Sequence, residues 1–204
     1  MLGLVTGPAF AEEIVVAALG DSLTQGYGLP PADGFVPQLS RWLSNNGTEA
    51  QIINAGVSGD TTAGGLSRIE WALTPKVDAL IVALGGNDLL RGIDPDVSRE
   101  NLRGILEIAE GRALPVLLVG LDAPSNYGAD FEAKFEGMYA ELAQEFGAML
   151  YPDFLKGISE TGDRRAALRN FMQADGIHPN AKGVALMVDD IGPDVQKLIE
   201  SATD

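Results

Sequence analysis

His178 is the single histidine of this 204-residue chain, and it stands three residues after Asp175 in the segment Asp175-Gly176-Ile177-His178-Pro179-Asn180. An imidazole that moves protons needs a carboxylate to fix its tautomer and to stabilise its cation, and a tight turn brings side chains three apart within reach. The natural client of such a pair is a hydroxyl, because serine is a weak nucleophile until a neighbouring base takes its proton. The chain has no cysteine, which removes thiolate nucleophiles, iron–sulfur clusters, disulfides and Cys-ligated zinc together. A serine stands in Gly20-Asp21-Ser22-Leu23-Thr24. Two further polar loops, Asn54-Ala55-Gly56-Val57-Ser58-Gly59-Asp60-Thr61 and Gly85-Gly86-Asn87-Asp88, offer donors for a developing oxyanion. The candidates are the Gly59 N–H, the Asn87 amide and the N–H of Ser22 itself. Each piece alone has an ordinary explanation: Gly-Asp-Ser as a turn or cap, Asn87 as a helix cap, a lone histidine as a surface residue. Their joint occurrence points to acyl transfer.

The elements that must hold these loops are legible as five short apolar runs with a β-branched bias: Ile14–Leu19, Gln51–Asn54, Ala79–Leu84, Pro115–Val119 and Ala148–Tyr151. Between them lie amphipathic stretches. Phe131, Phe135, Met138, Leu142 and Phe146 recur at helical spacing. Asp94-Pro95 marks a helix start running to about Gly111, and a last helix is expected from near Pro179 towards the C-terminus. Trp42 and Trp71 are expected in the core on apolar helix faces. Strand–helix alternation repeated in this way predicts a parallel sheet covered by helices on both faces. Ligands of such sheets bind outside the carboxyl ends of the strands, where the three polar loops fall.

Gly20-Asp21-Ser22-Leu23, the Gly59 block, Gly85-Gly86-Asn87-Asp88 and Asp175-x-x-His178, in this order, resemble the GDSL or SGNH hydrolase superfamily. Gly85–Gly92 and Ala123–Gly128 are similar to its bacterial thioesterase I, lysophospholipase L1 and arylesterase branch. The resemblance implies a three-layer α/β/α domain whose five-stranded parallel sheet has the flavodoxin-like order 2-1-3-4-5. It implies Ser22, Asp175 and His178 as catalytic triad and Ser22, Gly59 and Asn87 as oxyanion hole. Substrate contacts are expected at Asp21, Asp88, Leu89, Pro124 and Tyr127. The implied substrate is a small-molecule ester or thioester, with short or medium acyl chains or aryl esters favoured and lysophospholipids as a further class. No cofactor or metal is implied, and carboxylate caps account for Asp21, Asp60 and Asp88. The α/β-hydrolase elbow Gly-x-Ser-x-Gly does not fit, because its fifth position is Thr24.

Composition narrows the rest. Fourteen Lys and Arg against 29 Asp and Glu leave a formal charge of −15, which opposes phosphate backbones and anionic lipid, so no nucleic-acid partner is expected. At about 150 residues per domain the length predicts one domain from residue 12 to 204. No apolar run is long enough for stable membrane insertion. Residues 1–11 are apolar and end in Ala9-Phe10-Ala11 before Glu12-Glu13, which reads as the remnant of a secretory signal and predicts a periplasmic or secreted protein over a cytoplasmic one. Two rival readings remain: a flavodoxin-like carrier with a flavin phosphate in the first loop, and a non-catalytic ligand-binding α/β domain. Neither uses the Asp175–His178 turn.

Overall fold

The computed structural model describes residues 13–123 and 125–203, so the expected signal remnant at 1–11 lies outside the described residues. Five parallel strands, β1 (Ile14–Gly20), β2 (Ala50–Gly56), β3 (Ala79–Ala83), β4 (Val116–Val119) and β5 (Met149–Tyr151), form one sheet in the order β2-β1-β3-β4-β5. All five coincide with the apolar runs of the sequence. The largest difference is β2, which continues through Ala55 and Gly56 because both pair with the end of β1. β1 lies between β2 and β3 with Val16 to Leu19 fully buried, since a strand covered on both faces needs no polar alternation.

Nine helices lie among the described residues: α1 (Ser22–Gln25), α2 (Phe35–Asn45), α3 (Thr62–Ala72), α4 (Gly86–Arg91), α5 (Pro95–Glu110), α6 (Ala129–Phe146), α7 (Lys156–Ser159), α8 (Arg164–Phe171) and α9 (Ala181–Ser201). The chain steps from β1 to β2 in one direction and from β2 over β1 to β3 in the other. Right-handed crossovers therefore put α2 on one face and α3 on the opposite one. The packing agrees: α2 pairs with α9, while α3, α5 and α6 pack in series. The longer helices bury stripes at helical spacing, such as Phe35, Leu39 and Leu43 on α2 and Val184, Met187, Val188, Ile191, Val195 and Leu198 on α9. No helix among the described residues is long and apolar enough to cross a membrane.

The two tryptophans part company. Trp42 lies against Gly192 of α9, where an added Cβ would come within 2.6 Å of its ring. Trp71, expected in the core, is 87% exposed. The buried stripe of α3 runs through Thr62, Gly65 and Ile69, and two residues past Ile69 the helix has turned to the opposite side.

The register brings the site together. Gly20 of β1 pairs with Gly56 on one side and with Ala83 on the other, so the loops after all three strands leave the sheet at one level.

Candidate active site

Ser22 is the first residue of a one-turn helix at the carboxyl edge of the sheet. Asp21 caps that turn, its Oδ1 accepting the Leu23 N–H at 3.0 Å, and Gly26 ends it at φ +87°, a left-handed conformation that suits glycine. The first N–H of a helix has no intrahelical acceptor, so the Ser22 N–H points free of the backbone ladder. β2 fixes the turn from the side: a Cβ on Gly56 would lie 2.4 Å from the Gln25 nitrogen and 2.9 Å from the Asp21 oxygen. Only glycine lets the strand approach the serine turn this closely.

A hairpin-like loop delivers the histidine. An antiparallel bridge joins Met172 to Pro179, and the Gln173 N–H donates to the His178 carbonyl at 2.7 Å. Within it, Asp175 Oδ1 accepts the N–H groups of Ile177 and His178 at 2.9 and 3.0 Å. Its Oδ2 lies 2.7 Å from His178 Nδ1, and His178 Nε2 lies 2.9 Å from Ser22 Oγ. A ring whose Nδ1–H donates to a carboxylate keeps Nε2 free to accept the serine proton. Asn180, one turn on, caps α9 by accepting from Lys182 and Gly183. Behind the imidazole, the Tyr27 ring centroid lies 4.7 Å from that of His178, tilted by 41°. The Gln173 amide donates to the Tyr27 and Pro179 carbonyls, at 2.8 and 3.0 Å, and so ties the two loops together.

The charges of the site are set by these contacts. The His178 N–H above all, then its side chain and the Ile177 N–H, hold the Asp175 carboxyl down at about 2. Asp21 goes the other way. Burial pushes it up to about 6, although the Leu23 N–H and the Asn87 amide favour its ionised form.

Asn87 sits in the first turn of α4, and its Nδ2 donates to Asp21 Oδ2 at 3.3 Å, which leaves the second amide hydrogen for a ligand. Asn87 and Ser22 line one cavity of about 140 Å³ whose walls are Leu23, Leu89, Leu90, Leu121, Leu155 and Ile177. Gly59 lies in the loop after β2 at φ +85°, and among the described residues its N–H donates to no protein acceptor. That loop is anchored to the serine turn by the Val57 N–H on the Gly20 carbonyl at 3.0 Å and by Ser58 Oγ on Gln25 Oε1 at 3.0 Å.

The expected substrate contacts divide. Leu89 and Asp21 line the cavity. Asp88 is a correction: it is fully buried and cannot meet a ligand. Its carboxylate accepts the Thr62 N–H at 2.8 Å, the Thr62 hydroxyl at 2.6 Å and the Ser98 hydroxyl at 3.0 Å, which pins α4 to α3 and α5. Tyr127 stacks its ring on Phe131 at 4.8 Å and is partly exposed, outside the walls of the cavity beside Ser22. Pro124 lies outside the described residues. Several site residues escaped sequence reasoning: Leu121, Leu155, Ile177, Tyr27 and two arginines. Ile177 carried a signal, being a large apolar residue inside an otherwise polar turn. Arg68 carried none. Its guanidinium binds the Gly20 carbonyl at 3.0 Å, the Ala55 carbonyl at 2.8 Å and Asp60 Oδ2 at 2.6 Å, bracing the ends of β1 and β2 from beneath.

Comparison with known proteins matches this geometry to a family. Residues 18–186 match the model of the GDSL-like Lipase/Acylhydrolase family. Esterase TesA of Pseudomonas aeruginosa is 35% identical over 199 residues, covering 97% of this chain and 94% of that protein. Thioesterase 1/protease 1/lysophospholipase L1 of Escherichia coli is 32% identical over 200 residues, covering 97% and 90%. Among solved structures, AlinE4, an SGNH-hydrolase family esterase, superposes with a TM-score of 0.74 at 44% identity, covering 93% of this chain and 98% of that one. With the serine, glycine, asparagine and histidine loops gathered at one edge of a β2-β1-β3-β4-β5 sheet, the chain belongs to the GDSL-like lipase/acylhydrolase family, the SGNH hydrolases that cleave esters.

Proposed function

We propose that the protein hydrolyses carboxylic esters through an acyl-enzyme on Ser22, with His178 as base and acid and Asp175 as its orienting carboxylate. The observation that carries this reading is the continuous line from Asp175 Oδ2 to His178 Nδ1, 2.7 Å, and from His178 Nε2 to Ser22 Oγ, 2.9 Å. Ser22 Oγ bonds to the carbonyl carbon while its proton passes to Nε2. The tetrahedral oxyanion is held by the Ser22 and Gly59 N–H groups and the Asn87 amide. Collapse of the intermediate breaks the bond to the alcohol, phenol or thiol, which takes the proton from Nε2. Water, activated in turn by Nε2, then releases the acid and restores Ser22.

The small leucine-lined cavity favours short or medium acyl groups. Each methylene that projects beyond the cavity mouth gains less than the roughly 0.8 kcal/mol of full burial. Relatives named esterase, arylesterase and thioesterase support esters as the main class and thioesters as a second. The Ala9-Phe10-Ala11 signature supports export to the periplasm, which cell fractionation of the full-length chain tests. For the chemistry, the test is Ser22→Ala assayed on p-nitrophenyl esters of increasing chain length, with a phosphonate label read by mass spectrometry. We expect kcat to fall by about 10³-fold or more with the melting temperature unchanged, and the label on Ser22 alone. A label on Ser58, or turnover surviving in Ser22→Ala, would overturn the assignment.

A further inference from the structure

Gly59 stands at the tip of a loop whose neighbours are well tied. The Asp60 N–H closes the turn on the Val57 carbonyl at 3.1 Å, and the Asp60 carboxylate is held by Arg68 at 2.6 Å. Gly59 itself is exposed and left-handed at φ +85°, and a glycine without a Cβ can rotate its peptide planes at little cost. One side chain restrains it: Arg91 Nη2 donates to the Gly59 carbonyl at 2.7 Å. Arg91 is the last residue of α4, and Asn87 is the second. The same six-residue helix therefore carries one candidate oxyanion donor at its start and grips the loop of the other from its end. That helix is a firm base, because the buried Asp88 between them accepts three hydrogen bonds from Thr62 and Ser98.

We propose that Arg91 is a positioning residue for the oxyanion hole: by holding the Gly59 carbonyl it steadies the Gly59 N–H towards the oxyanion position beside Ser22. This rests on the acyl-transfer reading above. A donor stabilises a transition state only if it is in place before charge develops. Without the guanidinium, the Gly59–Asp60 peptide is held by the Asp60 N–H alone, and the residual rotation at Gly59 must be frozen at each turnover. The guanidinium also makes a charge-assisted bond, stronger than the water contact it replaces. Arg91 touches no reacting atom in this scheme, so its removal should weaken catalysis without weakening substrate binding.

The test uses the full chain with p-nitrophenyl butyrate, a neutral substrate on which a guanidinium has no anionic group to bind. Arg91→Ala should lower kcat about tenfold, less than the 10²–10³ of deleting a donor outright, with KM within twofold. Its melting temperature should stay within a few degrees, since the residue is exposed. Arg91→Lys should recover part of the lost kcat. The tenfold loss should persist in an Asn87→Ala background, because it acts through Gly59. An Arg91→Ala variant with full kcat, a raised KM alone, or a loss that vanishes in Asn87→Ala would each overturn the proposal. Ser22→Ala separates the two levels. If it is inactive while Arg91→Ala is at full kcat, only the positioning role falls; if it is active, the acyl-transfer reading falls first.

Discussion

Asp21 and Asp175 are two carboxylates within reach of the same serine–histidine pair, and their surroundings drive them apart. Asp175 receives two backbone N–H groups and the imidazole, so it stays ionised down to about pH 2. Its folded value lies below its unfolded one. The stability it contributes is complete above pH 3.8 and is lost only as pH falls through about 2. Asp21 is buried with too few donors to compensate, and its value rises from 3.8 to about 6. For a raised carboxylate the sign reverses: folding is helped most below pH 3.8, and the help is lost as pH climbs through about 6. At neutral pH the ionised Asp21 costs about 3 kcal/mol of folding stability relative to acid. Asp21→Asn removes that titration. Urea denaturation of both proteins from pH 4 to pH 7 should therefore show the stability difference moving in favour of the variant as pH rises. A difference that stays flat across this range would show that Asp21 does not titrate in the folded protein. Retention of so costly a carboxylate fits its contact with Asn87, whose amide it holds at 3.3 Å.

Among the elements, the close contact of β2 with α1 is the most sensitive. Gly56→Ala must push its methyl against the backbone of Gln25 and Asp21, so α1 has to move and Ser22 moves with it. Overpacking of this kind costs about 1–3 kcal/mol, or roughly 2–12 °C in melting temperature for a chain of this size, and kcat should fall as well. Gly137→Ala is the control. It lies inside α6 with only the end of Glu141 nearby, and should be neutral or slightly stabilising. A Gly56→Ala protein with unchanged melting and rate would mean that α1 is not wedged by β2. The strands were readable from the sequence because burial on both faces leaves an unbroken apolar run. The four-residue α1 and α7 were not, because they are too short to show a period. Trp71 was misread because helical amphipathicity is a matter of angle, and the smaller Gly65 and Thr62 define the buried side of α3. Ser22, Asp175 and His178 were visible because their chemistry is restricted to few residue types. The bracing roles of Asp88, Arg68 and Arg91 were not, because most of their partners are backbone groups or hydroxyls 10 to 48 positions away, and no spacing rule announces such contacts.

At the scale of the whole molecule, charge is the dominant property. A net −15 spread over the surface raises a field that repels polyanions, and the repulsion weakens as salt shortens the screening length to about 10 Å at 0.1 M. A neutral ester such as p-nitrophenyl butyrate should therefore outperform an acyl-CoA of equal chain length at low ionic strength. The ratio of their kcat/KM values should shrink as salt is added. An acyl-CoA preferred at low salt would mean that local arginines outweigh the global field. The molecule also has an unusual distribution of distance along the chain. Asp175 and His178 are three positions apart, whereas His178 and Ser22 are separated by 156. The acid–base half can take shape as soon as one short loop closes. Ser22, the proposed nucleophile, lies near the beginning of the chain and must wait until the segment that docks through α9 has been synthesised and packed. On the acyl-enzyme reading, hydrolytic activity is thus the last property a nascent or refolding chain acquires, and a partially folded intermediate with a complete sheet but an undocked C-terminal helix would harm no ester it meets.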